Sequence, residues 1–282
     1  MKYFRTEKPG IDRQLNAFIN LAKTFFSVEI VSIYLLGSYI DDSAINSSDL
    51  DIAIIYNGSN DNKINDISCF FSAFSRDLFK KEIDLYLISL DQIFHLDQKQ
   101  LITREGIINV KIASRLIYGT DIRDRIHMPD LDTYLKITIE TPFHFMAKVR
   151  VREYILDKKE KLTYPDASDY YYGYLSHAAS THKFVESKPI LSLIGWICTA
   201  LVAIKTGHMI GKKSDVKEAY RLKVNDQWAP FVEQAYQLIR NSLEYKLPEN
   251  IEDRTKLREL CFELINFENH YLKEYGKFII GR

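Results

Sequence analysis

Ile11, Leu15, Phe18, Ile19, Leu21, Ala22 and Phe25 recur at the spacing of one helical face and predict an amphipathic first helix over residues 11–27. The period then shortens. Three β-branched and apolar runs, EIVSIYLL at 29–36, DLDIAIIY at 49–56 and IDLYLI at 83–88, read as strands buried on at least one face. NGSNDNKIND at 57–66 reads as a polar loop, with a helical stretch around 67–80 behind it. A helix from about residue 91 to Arg104 and a short strand near Arg115 to Tyr118 follow.

Strand signals stop near residue 130. Pro142, Pro165, Pro189, Pro230 and Pro248 each stand just before a helical pattern, where a first turn tolerates proline, so five helices are predicted. Thr206-Gly207 ends the apolar helix that opens at Pro189, because glycine takes the left-handed conformation that terminates helices. The fold class that follows is α+β, with a small mixed sheet flanked by helices over residues 1–129 and an all-helical domain over 130–282.

Composition supports that division. A chain of 282 residues exceeds a usual single domain of roughly 100 to 200. Hydrophobic residues at 46% and charged residues at 27% match globular proteins and exclude disorder, collagen-like repeats and coiled coil. Lys plus Arg and Asp plus Glu both number 38, so no cationic excess exists to neutralise a long phosphate backbone, which argues against a nucleic-acid partner. Cys69, Cys198 and Cys261 form no Cys-x-x-Cys pair and fit a reducing compartment. No apolar segment follows the charged residues of Met1 to Gly10, and the longest apolar stretch, Ile190 to Ile204, falls short of the roughly 20 residues that cross a bilayer. A cytoplasmic protein without a membrane partner is expected.

The candidate chemistry lies in LLGSYIDDSAINSSDLDIAII, residues 35–55. Side chains two apart on a strand share a face, so Asp49 and Asp51 aim two carboxylates at one point while Leu50 points the other way. Asp84 stands in the third strand between Ile83 and Leu85, where burial is expensive unless a cation or an open site meets it. If that strand neighbours the second, three carboxylates converge, a donor set suited to hard divalent cations.

Gly37-Ser38, a ten-residue spacer, Asp49-x-Asp51 and the later Asp84 resemble the metal site of the polymerase-beta-like nucleotidyltransferases. The combination with a helical C-terminal half is similar to the aminoglycoside nucleotidyltransferases, in particular the streptomycin and spectinomycin adenylyltransferases. CTALVAIKTGHMIGKKSDVKEAY at 198–220 and Gln-Ala-Tyr at 234–236 resemble further segments of that family. The chain departs from its pattern in having Cys198-Thr199 for the usual Cys-Arg, Asp84 for the usual Glu and no glycine between Tyr39 and Ser48.

The resemblance implies two magnesium ions held by Asp49 and Asp51, with ATP as co-substrate. Asp84 would complete the acceptor-side metal site or act as general base. Gly37 and Ser38 would cradle the β and γ phosphates, with Ser48 also at the nucleotide. Lys212 or Lys213 and Tyr236 inherit contacts to the phosphates. The implied reaction moves AMP to a hydroxyl of a small, aminoglycoside-like acceptor. Two alternatives stay open: modification of a protein or tRNA, as in a toxin–antitoxin pair, and a catalytically silent nucleotide-binding regulator.

DASDYYYGYLSHAASTHKF at 166–184 carries Tyr170, Tyr171, Tyr172 and Tyr174 with His177 and His182. Read as a helix, it either lines a core or binds a polyhydroxylated or cationic acceptor together with Asp166 and Asp169. Trp196 and Trp228 are expected in the core.

Overall fold

The computed structural model describes residues 4–26, 29–41, 43–45, 48–58, 71, 74, 78–79, 81, 83–94, 101–149, 168–175 and 186–280. Most of the predicted loop at 57–66 and helix at 67–80, together with Cys69, Pro165, Asp166, His177 and His182, lie outside those residues. The chain divides into two compact units, one of Met1–Met128 with Gly211–Ser214, the other of Pro129–Ile210 with Asp215–Arg282.

The first unit opens with α1, Pro9–Phe25, whose first turn accepts Pro9 and whose Leu15, Phe18, Ile19 and Ala22 are buried. β1 (Glu29–Leu35), β2 (Leu50–Asn57), β3 (Ile83–Ser89) and β4 (Arg115–Gly119) form one mixed sheet in the order β3-β2-β1-β4. β1 runs antiparallel to β2 and β4, whereas β2 and β3 are parallel. The two-residue side-chain period sorts the strands into two cores. Ile33, Leu35, Leu50, Ile52, Ile54 and Ile83 pack on α1 and Phe71, and Phe71 meets Phe18 edge-on at 5.2 Å.

The other face, with Tyr34, Ala53, Ile55 and Ile88, packs on Ile107 and Val110. Those residues sit on α3, Leu101–Ile112, which follows the short α2, Leu90–Phe94. Helix therefore extends past the expected stop at Arg104. The reason is burial: Ile107 and Val110 belong to the core.

The Tyr34 hydroxyl pins the end of this core. It accepts the Ile122 N–H at 2.8 Å and donates to Asp121 at 3.1 Å, while Arg123 grips the same carboxylate. Those Arg123 hydrogen bonds, partly opposed by burial, hold the Asp121 carboxyl at about 2.

The second unit is helical in its described elements. α4 is Leu131–Val149, α5 Lys188–Thr206, α6 Val216–Lys223, α7 Ala229–Ala235 continuing into a π-helical Tyr236–Ser242, and α8 Ile251–Ile280. Pro189 and Pro230 occupy first turns as expected. Gly207 closes α5 at φ 66. Pro142 departs from the expectation, since it lies inside α4. That helix starts a full three turns earlier because Asp130 caps it, accepting the Thr133 N–H at 2.7 Å. α6 has no proline before it.

α5 is 19 residues long and apolar enough by length and composition to cross a membrane, longer than the segment read from sequence. Its buried face, from Ile190 to Ala203, instead forms the centre of the helical unit, packed by α4, α6 and α8. Trp196 and Trp228, both expected in the core, are each only half-buried, although Trp228 packs edge-on against Phe231 and tilted against Phe267.

The expected helix through 166–184 is not what its described part forms. Residues 168–175 are turns, in which Asp169 accepts the N–H groups of Tyr171 and Gly173 at 2.8 and 3.0 Å. Tyr174 is buried with its hydroxyl on Glu268, and Tyr170 lies beneath the Arg254 and Arg258 guanidinium groups.

Two outcomes are expected for the first unit. Tyr34→Phe orphans the Ile122 N–H and should cost about 1–3 kcal/mol in urea unfolding at neutral pH. Asp121→Asn should destabilise at pH 7. Because the folded carboxyl lies below its usual value, its stabilisation is full above that value and fades as pH falls toward 2. The gap between wild-type and Asp121→Asn urea midpoints should therefore narrow from pH 7 to pH 3.

Candidate active site

The site is built on the register of β2 against β3. Asp51 and Asp84 are direct partners across the parallel pair, so their side chains leave the sheet on one face. Asp49 precedes Asp51 by two residues and shares that side. One carboxylate oxygen from each of the three lies within 4.8 Å of the others. Asp49 and Asp51 are 8% and 4% exposed, whereas Asp84 opens to solvent. The third strand thus escapes the cost of burying its carboxylate by placing it at the rim.

Gly37 closes the fourth side. It adopts φ 65 at the start of the 3-10 turn Gly37–Ile40, and a Cβ there would fall 1.9 Å from the Asp51 Oδ2. The chain reverses against the carboxylate because glycine has no side chain to collide with it. The Leu36 N–H donates to the Asp51 carbonyl at 2.9 Å and fastens the approach. Ser38 follows in the same turn, half-buried.

Ser48 is buried, and its hydroxyl accepts the Ile45 N–H at 3.0 Å while its own N–H returns to the Ile45 carbonyl at 3.0 Å. That pair closes the loop that delivers Asp49. The spacer is further held by Lys8, whose ammonium donates to the Ala44 carbonyl at 2.9 Å.

Positive charge reaches the carboxylates from far along the chain. Lys213 belongs to the Gly211–Ser214 segment of this unit, and its Nζ stands 3.7 Å from the Asp51 Oδ1. Asp51 first, then Tyr86, Asp49 and Asp84, raise its ammonium pKa above the usual lysine range, against a smaller opposing effect of desolvation. Its side chain remains 66% exposed, so water screens the pair and no large stability follows from it. The pairing instead shows that a cation is favoured beside these three carboxylates.

The hard-oxygen donor set fits magnesium. Asp49, Asp51 and Asp84 are the residues that would hold it, with Gly37 leaving room beside Asp51.

Of the residues singled out by sequence, Gly37, Asp49, Asp51, Asp84 and Lys213 meet at one place, with Ser38 and Ser48 in the adjoining turns and Lys212 beside Lys213. Tyr236 lies in the helical unit, at the start of the π-helical turn, with its hydroxyl against Gly195 of α5. Asp41 escaped the sequence reading. It accepts a hydrogen bond from the Ser214 hydroxyl, and although burial pushes its carboxyl up, Ser214, Ser43 and Lys212 bring it below the usual range. Its only signal was an acidic residue in the spacer, which by itself is indistinguishable from a solvated loop residue.

Residues 19–112 match the family described as Polymerase beta, Nucleotidyltransferase. No curated protein matches the chain by sequence. Among solved structures, the chain is similar in fold to spectinomycin adenyltransferase AAD(9) from Enterococcus faecialis with ATP and spectinomycin. That likeness has a TM-score of 0.56 at 12% identity, over 93% of this chain and 98% of that one. The toxin–antitoxin MntA-HpeT aligns over 50% of this chain and 94% of its own, at 19% identity and a TM-score of 0.29.

Gly37→Ala should force the Asp51 carboxylate aside. We expect manganese, titrated calorimetrically as a magnesium substitute, to bind about 10- to 100-fold more weakly, as when a support of a metal ligand is lost.

Proposed function

We propose that this chain is a nucleotidyltransferase of the polymerase-beta kind, the family its residues 19–112 match, and that it moves AMP from ATP to a hydroxyl of a small, aminoglycoside-like acceptor. The observation that carries the reading is the meeting of Asp49, Asp51 and Asp84 within 4.8 Å beside Gly37. The acceptor class is supported by the fold likeness to AAD(9), whose structure contains ATP and spectinomycin.

Asp49 and Asp51 would hold two magnesium ions. When bound, they supply charge neutralisation of the triphosphate and a lowered pKa for the acceptor hydroxyl. The remaining tasks fall to the chain. Asp84, open to solvent at the edge of the cluster, either completes the acceptor-side ligand set or takes the acceptor's proton. The acceptor oxygen then attacks the α-phosphorus in line, and pyrophosphate leaves.

Gly37 lets backbone amides approach the β and γ phosphates, and the Ser38 hydroxyl and N–H donate to them. Ser48 serves the nucleotide by holding the loop in front of Asp49, its hydroxyl accepting the Ile45 N–H. Lys213, with Lys212 beside it, answers the phosphate charge. We place the reaction in the cytoplasm, in keeping with three cysteines that form no Cys-x-x-Cys pair.

The decisive assay incubates the protein with magnesium, α-labelled ATP and a panel of aminoglycosides, proteins and tRNA. Label on an aminoglycoside together with free pyrophosphate supports the proposal. Label on a polymer moves the reading to macromolecule modification, and ATP binding without transfer makes the chain a silent regulator. Asp49→Asn and Asp51→Asn should each lower turnover at least about 100-fold while circular dichroism stays native, because each removes charge the transition state needs.

A further inference from the structure

The Lys212–Lys213 turn carries two cations to the carboxylate cluster, yet Lys213 itself is screened by water and holds nothing in place strongly. Something else must fix the turn. Its two ends are anchored inside the first unit. At one end Gly211 lies against Ile112 at the close of α3, near enough that a Cβ would come within 3.3 Å of the Ile112 Cδ1. At the other end the Ser214 hydroxyl donates to the Asp41 carboxylate.

Asp41 is in turn fastened to the phosphate cradle. Its Oδ1 accepts the Ser43 N–H at 3.2 Å, and the Ser43 hydroxyl donates to the Ser38 carbonyl at 3.4 Å. A short chain of hydrogen bonds therefore runs from the Gly37-Ser38 turn through Ser43 and Asp41 to Ser214, with the two lysines immediately before it. The Lys212 charge also acts on Asp41, drawing the turn the same way.

We propose that Asp41 and Ser214 form a latch that positions the Lys212–Lys213 turn over the carboxylate cluster, so that loss of the latch weakens nucleotide binding without touching the transfer step. The benefit for nucleotide rests on the transferase reading above, whereas the latch itself does not. Asp41 is a positioning residue. It acts on the triphosphate through Lys213 and leaves the reacting atoms to Asp49, Asp51 and Asp84. A charge-assisted hydrogen bond suits this task because it is directional and strong for its size, whereas a lysine's point charge on a flexible stem orients poorly.

Two readouts test the idea in the full-length protein. The first needs no nucleotide: limited trypsin digestion, followed by mass spectrometry of the Lys213–Ser214 bond. Loss of one charge-assisted hydrogen bond should speed this cleavage about 10-fold in Asp41→Ala and in Ser214→Ala. Asp41→Asn, which keeps an acceptor oxygen for Ser214, should stay within about 3-fold of wild type. The double variant should be no faster than Asp41→Ala alone, because Asp41→Ala already removes the bond that Ser214→Ala breaks. The second readout is ATP dependence. KM for ATP should rise about 10-fold in both alanine variants with kcat nearly constant, the sign of lost binding shared by ground and transition states.

Unchanged cleavage in both alanine variants, with native melting curves, overturns the latch. Faster cleavage with an unaltered KM, or a fall in kcat alone, overturns its positioning role. Faster cleavage in a protein whose wild type transfers AMP to nothing leaves the latch standing and sinks the transferase reading instead. Should Asp41→Ala fail to fold, Ser214→Ala carries the test alone.

Discussion

Like charges gathered at one point govern this molecule. Three carboxylates brought within 4.8 Å of each other, two of them nearly sealed from water, are unfavourable without a cation. The first unit is arranged around that cost. Asp84 is left at the solvent edge, Lys213 is delivered from a turn more than a hundred residues away, and Gly37 gives up its side chain so that the backbone can pass Asp51. A fold under selection for stability alone has no use for such a concentration, so the cluster marks a candidate functional site at which a cation is favoured.

The sheet supplies the precision. β2 and β3 run parallel, so Asp51 and Asp84 stand side by side at equivalent positions, and the strand's alternation places Asp49 with them. Beyond this acidic end, the same face of the sheet carries Ala53, Ile55, Tyr86 and Ile88 packed on α3, while the opposite face packs on α1. Apolar packing on both faces holds the strands to one register, since a slip of one residue would turn the isoleucines of β2 and β3 to the wrong sides. The carboxylate geometry is thus as rigid as the core beneath it.

Around that rigid part, the connecting segments do the aiming. The spacer between Ser38 and Asp49 is tied by Lys8, by the Ser48–Ile45 pair and by the Asp41–Ser214 bond. These are polar, partly exposed interactions of modest individual strength, acting on loops, whereas the strands depend on burial. Such a division sets a rigid cluster of carboxylates apart from turns that modest hydrogen bonds hold beside it.

Much of this was legible in the residue pattern. The strand runs, the proline starts of α5 and α7, the Gly207 stop and the pairing of Asp49 with Asp51 all express local rules, in which period, propensity and φ are properties of neighbouring residues. The places where the structure departs from that reading have tertiary causes. α3 runs past Arg104 because the sheet buries Ile107 and Val110, α4 absorbs Pro142 because Asp130 caps it far upstream, and the tyrosine segment turns around Asp169 where its spacing had implied a helix. The strand order that makes Asp84 a neighbour of Asp51, and the return of Lys213 and Ser214 to the spacer, depend on contacts between residues remote in the chain. No local pattern encodes them, because they arise only when burial and hydrogen bonding choose among the pairings that the same strands and turns permit.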